Sequence, residues 1–314
     1  MQWQKKGLIF VPNGQYKWMN SHICPLAAVV LKDRIRVFVS TRTQRDKNGN
    51  YVSYPTYLDV DKEEPSKVLY VHDKPILELG ERGCFDQYGI MVLKPLWVGD
   101  KLFLYYAGWQ RLWCKESPYQ INVGLAISDD EGKSFKKYSK GPILGMDAED
   151  PIGVGNVFVV KKDEIYHMYY TSIIRWEVGP TKPTILYNIR HAVSDDAIHW
   201  QKDGRIIIED DSKGGVVAPT VFERRGKYVM LFGYRPAFEE DGSTGRYKVG
   251  YAESDDLVNW ERDDSKAGIE VSPDGWDSEM VCYPHVVEVD NRLIMFYCGN
   301  GFGEGGFGYA VAEK

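Results

Sequence analysis

The distribution of hydrophobic and polar residues along the chain predicts short β-strands and almost no helix. Apolar runs of five to eight residues recur throughout the chain, and Gly, Asp or Asn, which are typical of tight turns, bound each of them. No segment combines a sustained helical period with capping residues at both ends. The sequence therefore predicts an all-β fold.

A repeated motif groups these strands into units. Ser-Asp-Asp follows a short apolar strand at residues 128–130, 194–196 and 254–256, and an aromatic residue follows each copy: Phe135, Trp200 and Trp260. We expect a β-hairpin in which the aspartates accept hydrogen bonds from turn amides and the aromatic side chain covers the turn. A fourth strand of each unit is expected in the next apolar runs, which are 141–144, 204–207 and 268–271, with 74–77 in an earlier unit.

A second, strongly apolar strand lies upstream of each hairpin and occurs five times. The five copies are 35–40, 102–107, 165–171, 228–233 and 293–298. Dividing 314 residues by five gives about 63 residues per unit. Four-stranded units of this size that repeat around an axis are the blades of a β-propeller.

The two ends of the chain predict how the ring closes. Residues 308–311 match the third strand at 250–253, so the last unit lacks a fourth strand, and residues 3–10 match the fourth strand at 200–207. The N-terminal strand would complete the last blade and protect its edge. Two sandwiched sheets are the alternative fold, but they give no reason for this match. We therefore predict a five-bladed β-propeller that forms a single domain over residues 1–314.

Composition narrows the functional classes. The 39 basic and 45 acidic residues give a net charge of −6, which argues against a nucleic-acid partner. No apolar run is long enough to span a membrane, and Met1–Lys6 lacks the apolar core of a signal peptide, so a cytoplasmic location is expected. Nothing indicates a metal or another cofactor, or an oligomeric state. The five cysteines are scattered, so we expect no structural disulfide, with Cys24 and Cys282 buried.

Candidate catalytic residues are expected where the innermost strands begin, because those points converge on the propeller axis. Asp86, Asp150 and Glu279 stand at about the same place in three units. Three acids around an axis suit glycoside hydrolysis. We predict that Glu279 is the general acid, because apolar neighbours would desolvate its carboxyl group and retain its proton. Asp86 is then the base or nucleophile and Asp150 the stabiliser, although each of the three, taken alone, could instead cap a turn.

Substrate-binding candidates carry forked donors, aromatic faces or histidines near the same strands. Arginine binds hydroxyl, carboxylate or phosphate groups, and aromatic rings pack on sugars. Each arginine could instead be a surface charge or the partner of a buried aspartate, and each histidine a packed core residue. The candidates are His22, Arg42, Trp109, Arg175, Arg190, Arg235, Tyr283, His285 and Asn300.

Several motifs resemble a known superfamily over essentially the whole chain. Residues 18–20 (Trp-Met-Asn) and 149–151 (Glu-Asp-Pro) resemble motifs of the five-bladed propeller glycosidases of families 32, 43, 62, 68 and 130. Residues 85–89, 275–280 and 300–303 resemble glycosidase-like proteins that are often encoded in bacterial polysaccharide gene clusters. The acid pattern is incomplete, because Ser21 stands where family 32 has its nucleophile and Val217 where family 43 has a glutamate.

The resemblance implies a glycoside hydrolase-like enzyme. Its expected substrate is a bacterial polysaccharide fragment or an activated or lipid-linked sugar. One alternative is a phosphorylase, in which arginines hold phosphate and turnover depends on it. The other is a carbohydrate-binding protein of a biosynthetic complex, which binds without turnover.

Overall fold

The computed structural model describes residues 1–209 and 214–313, and within them twenty strands form five four-stranded antiparallel sheets. Helical structure in this part of the chain is limited to the 3-10 turn Asp264–Lys266 and the short segment α1 (Asn300–Gly303). The strands, in chain order, are β1 (Trp3–Phe10), β2 (Leu26–Val30), β3 (Ile35–Arg42), β4 (Ser53–Val60), β5 (Val68–Val71), β6 (Ile90–Val98), β7 (Lys101–Arg111), β8 (Tyr119–Ser128), β9 (Lys136–Lys137), β10 (Val154–Lys162), β11 (Ile165–Val178), β12 (Pro183–Ser194), β13 (Gln201–Ile208), β14 (Gly215–Arg224), β15 (Lys227–Arg235), β16 (Lys248–Ser254), β17 (Glu261–Arg262), β18 (Cys282–Val289), β19 (Arg292–Cys298) and β20 (Phe307–Ala312).

The five sheets are the blades of a propeller. Blade 1 contains β2–β5, blade 2 β6–β9, blade 3 β10–β13 and blade 4 β14–β17, and blade 5 combines β18–β20 with β1. The innermost strands β2, β6, β10, β14 and β18 contact one another in this order, and β18 contacts β2. The predicted five-bladed β-propeller is confirmed. No helix in the described residues is long and apolar enough to cross a membrane.

The ring closes through the N-terminal strand. Strand β1 pairs antiparallel with β20, with Trp3 opposite Ala312. The Trp3 side chain is buried against blade 4, where its ring meets Phe222 at 6.4 Å between centroids. The prediction that residues 3–10 complete the last blade is confirmed.

Side chains of the Ser-Asp-Asp turns accept hydrogen bonds from backbone amides of the same turn, as expected. The hydroxyl of Ser194 accepts hydrogen bonds from the amides of Asp196 and Ala197, at 3.2 and 2.9 Å. The carboxylate of Asp196 accepts from the amides of Ile198 and His199, both at 2.8 Å. The turn at 254–256 repeats this network.

The same turns also join neighbouring blades, which the repeat alone did not indicate. The hydroxyl of Tyr105 in blade 2 donates a 2.7 Å hydrogen bond to the carbonyl of Ala197 in blade 3, and its ring meets Trp200 edge-on. The motif aromatic therefore covers the preceding blade as well as its own turn. Equivalent bonds join Tyr169 to Leu257 and Arg36 to Glu131, at 2.6 and 2.9 Å.

Three of the four predicted fourth strands are wrong. Only 204–207 lies in an outer strand, β13, whereas β9 and β17 are two-residue strands that follow the aromatic closely, and β5 precedes 74–77. The apolar runs at the other three places form loops instead. Their side chains Leu77, Leu144 and Ile269 are buried, so their hydrophobicity reflects packing and not strand pairing.

Candidate functional site

A cavity of about 450 Å³ opens on the propeller axis, at the end where the innermost strands begin. Each blade contributes a residue from its innermost strand or from the segment just before it: Pro25, Met91, Asn156, Val217 and Tyr283. This volume is typical of sites for small ligands. We call it the axial cavity.

Four hairpins form the wall of the axial cavity. The β3–β4 hairpin supplies Arg42 and Tyr51, β7–β8 supplies Trp109 and Tyr119, β11–β12 supplies Lys182, and β15–β16 supplies Arg235 and Tyr247. The rings of Trp109 and Tyr119 contact each other with centroids 4.4 Å apart. Aromatic faces at a cavity wall suit the packing of a sugar ring.

The charge of the axial cavity is entirely positive. Among the described residues that line it there is no aspartate or glutamate. Its cationic side chains are Arg42, Arg45, Arg111, Lys182 and Arg235. Such a lining attracts anions, because no carboxylate of the wall competes for the guanidinium and ammonium donors.

The cations at the rim differ in whether other residues form hydrogen bonds or ion pairs with their side chains. Arg111 forms an ion pair with Asp46 at 3.2 Å, and Arg45 donates to the carbonyl of Gly49 at 2.9 Å. By contrast, no residue in the described part of the chain hydrogen-bonds to or forms an ion pair with the side-chain nitrogens of Arg42 or Lys182. These donors remain available for a ligand.

Arg235 is the fixed cation at the base of the wall. Its side chain is 3% exposed and donates to Thr184 Oγ1 at 2.8 Å and to the Tyr187 hydroxyl at 3.0 Å. The guanidinium lies between the rings of Tyr187 and Tyr247, at 5.6 and 5.3 Å from their centroids. Burial opposes the charge, but the two tyrosines outweigh it and raise the pKa of Arg235, so the charge is permanent. No described carboxylate neutralises it.

The pKa of Lys182 reflects the repulsion among these cations. Burial lowers the pKa of the Lys182 ammonium, and the charges of Arg45, Arg235 and Arg42 lower it further. Like charges at close range disfavour one another, and an anion between them would reverse that effect.

Four of the nine predicted binding residues line the axial cavity: Arg42, Trp109, Arg235 and Tyr283. Two predicted histidines are buried nearby. His22 contacts the Tyr51 ring at 5.2 Å, and burial together with the charges of Arg42 and Arg45 lowers its pKa to about 3. His285 lies in a narrow space of about 20 Å³ that shares Tyr283 with the axial cavity, and burial and Lys94 lower its pKa to about 3. Both are neutral at pH 7.

The remaining three binding candidates lie outside the axial cavity. Arg175 is exposed and pairs with Glu177 at 3.1 Å. Arg190 donates to the carbonyl of Glu149 at 2.9 Å. The Asn300 side chain accepts a hydrogen bond from the Glu279 amide at 2.8 Å and donates to the carbonyl of Gly275 at 2.9 Å, so it braces the loop before β18.

Asp86 and Asp150 occupy equivalent buried sites. Asp86 Oδ2 accepts from the Tyr106 hydroxyl at 3.1 Å and contacts Lys137 Nζ at 2.5 Å. Asp150 Oδ2 likewise accepts from Tyr170 at 2.9 Å and contacts Lys202 Nζ at 2.6 Å. Neither aspartate lines the axial cavity.

A third site of this kind contains Asp277, not Glu279. Asp277 Oδ2 accepts from Tyr297 at 2.9 Å and contacts Lys5 Nζ of β1 at 2.7 Å. In all three sites the tyrosine follows the aspartate by 20 residues. We call them the corner triads, namely Asp86/Tyr106/Lys137, Asp150/Tyr170/Lys202 and Asp277/Tyr297/Lys5.

Glu279 lies apart from the corner triads. It is exposed and does not line the axial cavity, although its neighbours Met280 and Val281 are buried. The apolar neighbours therefore do not enclose its carboxyl group. The catalytic roles of Asp86, Asp150 and Glu279 stay a prediction.

Sequence reasoning missed three cavity cations and the corner triads. Arg45, Arg111 and Lys182 lie in or beside hairpin loops that share no repeat, so no pattern marked them. The corner triads did leave a signal, because Lys5 and Lys202 each stand two residues after a tryptophan, and each triad keeps the Asp–Tyr spacing. No group of three or more His, Cys, Asp or Glu residues in the described ranges is arranged to hold a metal ion.

Comparison with known proteins agrees with this fold. No family model matches the chain. The uncharacterized protein Rv1502 of Mycobacterium tuberculosis is 33% identical over 319 residues, which covers 100% of both chains. A 1,2-beta-oligomannan phosphorylase of Thermoanaerobacter sp. (strain X514) is 30% identical over 169 residues, which covers 53% of this chain and 49% of the phosphorylase.

Solved structures extend the likeness to the whole propeller. A glycoside hydrolase superposes with a TM-score of 0.71 at 18% identity, covering 98% of this chain and 90% of the hydrolase. An identity this low demonstrates the shared fold and not a shared substrate. The chain belongs to the same family as the Mycobacterium tuberculosis protein Rv1502, and its five-bladed β-propeller fold is shared with solved glycoside hydrolases.

Proposed function

We propose that the protein is a glycosidase-like enzyme whose substrate is an anionic sugar of bacterial polysaccharide metabolism. The substrate is a sugar phosphate, or a glycan that carries a phosphate or carboxylate group, and it binds in the axial cavity. The single observation that carries this proposal is the excess positive charge of the cavity. Five cationic side chains line it, only Arg111 of these pairs with a described carboxylate, and the described lining residues include no carboxylate. A cytoplasmic location is part of the proposal, since the five free thiols suit a reducing compartment.

The cost of buried charge supports an anionic ligand. A guanidinium as deeply buried as Arg235 loses most of its hydration, and in proteins such a charge is usually paired with a carboxylate. Arg235 instead donates hydrogen bonds to the hydroxyls of Thr184 and Tyr187 and to the carbonyl of Ile185. A phosphate or carboxylate beside Arg235, Arg42 and Lys182 would supply the missing counter-charge, and the aromatic wall would hold the sugar ring.

Phosphorolysis is the second candidate. The cationic wall suits inorganic phosphate as well as a substrate-borne anion, and one relative carries the name of a phosphorylase. In phosphorolysis, phosphate replaces water as the acceptor of the glycosyl group. Turnover that requires phosphate identifies phosphorolysis, turnover without it identifies hydrolysis, and tight binding with neither identifies a carbohydrate-binding protein.

The proposal keeps Asp86, Asp150 and Glu279 as the candidate catalytic acids. Their surroundings also support a structural role for Asp86 and Asp150, because each is already neutralised by a lysine. Asp277 separates the two roles. It shares the triad geometry but was never a catalytic candidate, so Asp277→Asn is the matched control for Asp86→Asn and Asp150→Asn.

A ligand-binding experiment tests the proposal. Isothermal titration with mannose 1-phosphate, mannose and inorganic phosphate compares charged and neutral probes of similar size. We expect the two phosphates to bind and mannose to bind at least tenfold more weakly, with affinity falling as salt is added. Lys182→Met should weaken phosphate binding, whereas Arg175→Ala, an exposed arginine outside the cavity, should not. Equal binding of mannose and mannose 1-phosphate, or an unchanged Lys182→Met variant, would overturn it.

A further inference from the structure

Three thiols meet where blades 1 and 5 close the ring. Cys24 lies directly before β2, and Cys282 and Cys298 are opposite each other on β18 and β19. All three are buried and free. The Cys298 thiol donates a 2.9 Å hydrogen bond to the carbonyl of Ile23, the residue before Cys24, and all three cysteines belong to one buried cluster. The three thiols are therefore neighbours, as a disulfide between two of them requires.

Cys24 differs from the other two in its surroundings. It forms part of the wall of the axial cavity, together with Arg42. Burial opposes ionisation of Cys24, but the neighbouring Cys282 and Cys298 thiols and the charge of Arg42 outweigh burial and lower its pKa. Burial and contact with Cys24 raise the pKa of Cys282, and the same causes raise that of Cys298. The thiol of the cluster that ionises most readily is therefore the one at the cavity wall.

We propose that Cys24 is an oxidation site for a hydroperoxide that enters through the axial cavity, and that Cys282 or Cys298 resolves it to a disulfide. The Cys24 sulfur attacks one peroxide oxygen and the O–O bond breaks, which leaves a sulfenic acid and releases the other oxygen as water. The resolving thiol then displaces the sulfenic oxygen as a second water and forms the S–S bond. Two thiols lose two electrons and two protons, and one hydrogen peroxide becomes two waters.

The disulfide would have two consequences. It would join blade 1 to blade 5 covalently at the ring closure, between residues more than 250 apart in the chain. It would also remove a thiolate from the cavity wall. Burial of Cys24 should slow its reaction with bulky alkylating reagents, whereas hydrogen peroxide is little larger than a water molecule.

Peptide mapping of the wild-type protein tests the site directly. The protein is treated with one equivalent of hydrogen peroxide, unfolded in iodoacetamide and digested with trypsin. The three cysteines fall in separate peptides, 18–32, 267–292 and 293–314. We expect peptide 18–32 to be linked to one of the other two, while Cys84 and Cys114 are alkylated. Cys24 recovered in the alkylated form, or linkage confined to Cys84 and Cys114, would overturn the proposal.

Variants add a second readout. Oxidation should raise the melting temperature of the wild-type protein by several degrees, because the bond closes a long loop. Cys24→Ser should abolish both the linked peptide and the rise, and the exposed Cys114→Ser, the matched control, should retain both. A linked pair of peptides 267–292 and 293–314 in Cys24→Ser at the wild-type rate would contradict the role of Cys24. If Cys24→Ser does not fold, the wild-type peptide map decides alone.

Discussion

The corner triads and the axial cavity differ in how their charged side chains are neutralised. In each corner triad a lysine and a tyrosine hydroxyl satisfy one aspartate oxygen within about 3 Å. In the axial cavity the described lining contains five cations and no carboxylate, and the ammonium of Lys182 is destabilised by its neighbours. Each corner triad contains both a lysine and the carboxylate that neutralises it, whereas the described lining of the axial cavity contains cations and no carboxylate.

This difference separates structural charge from functional charge. An ion pair that the protein neutralises fixes geometry, and removing one member leaves a buried charge without a partner. A buried charge that the protein leaves unneutralised lowers stability, and such groups concentrate at ligand sites. Conservative substitutions in the corner triads should therefore lower stability, and conservative substitutions in the axial cavity should lower ligand affinity.

Deleting residues 1–11 should have the largest effect. The deletion removes Lys5 from its triad, exposes the edge of β20 and unpacks Trp3, whose burial alone contributes about 3 kcal/mol. We expect insoluble protein, or a large fall in melting temperature, measured by differential scanning fluorimetry. A truncated protein that melts at the wild-type temperature would contradict the closure.

The second-largest effect is expected when the aspartate of each corner triad is replaced by asparagine. Asp86→Asn and Asp277→Asn each leave a lysine without its carboxylate, which costs about 3 kcal/mol in a mostly buried pair. In Asp150→Asn the lysine Lys202 keeps a second ion pair, with Asp147 at 2.7 Å. We expect the melting temperature to fall by roughly 5–10 °C in Asp86→Asn and Asp277→Asn and by less in Asp150→Asn. If Asp86→Asn or Asp150→Asn loses turnover at an unchanged melting temperature while Asp277→Asn keeps its activity, the catalytic assignment is the correct one.

Arg42→Gln should show the reverse behaviour. The Arg42 guanidinium has no hydrogen bond or ion pair in the described residues, so its loss should leave the melting temperature within about 1–2 °C. The affinity for mannose 1-phosphate should fall about tenfold, or 1.4 kcal/mol, in titration calorimetry. A variant with wild-type affinity would place the anion elsewhere.

The pH dependence at Lys182 should give the smallest effect. Its pKa is lowered below 10.5 in the folded chain, so the unfolded chain binds more protons between the lowered value and 10.5. Stability from Lys182 should therefore rise with pH across that window. Urea unfolding at pH 7 and pH 10 measures the change, which Lys182→Met should reduce and which Arg175→Ala should leave intact. An identical pH dependence in Lys182→Met would show that the cations do not repel one another.

The sequence was sufficient for the fold because its repeats are local and sterically constrained. The match of Trp3-Gln4-Lys5 to Trp200-Gln201-Lys202 predicted β1 correctly, and it also carried the lysine of the third corner triad. The outer strands were misplaced because buried loop residues such as Leu144 look like strand residues. The cavity was predicted only in part, since Arg45 and Lys182 come together through hairpins that differ from blade to blade, and only the folded ring shows that carboxylates are missing there.

The pairing of β1 with β20 sets an order of events during synthesis. The ribosome makes β1 before the other nineteen strands described and β20 after them, so β1 cannot pair until all the blades have been synthesised. Until then two strand edges and the Trp3 side chain remain open to other nascent chains. Ring closure must therefore follow the synthesis of β20, and the contacts within each hairpin form long before the pairing that closes the ring.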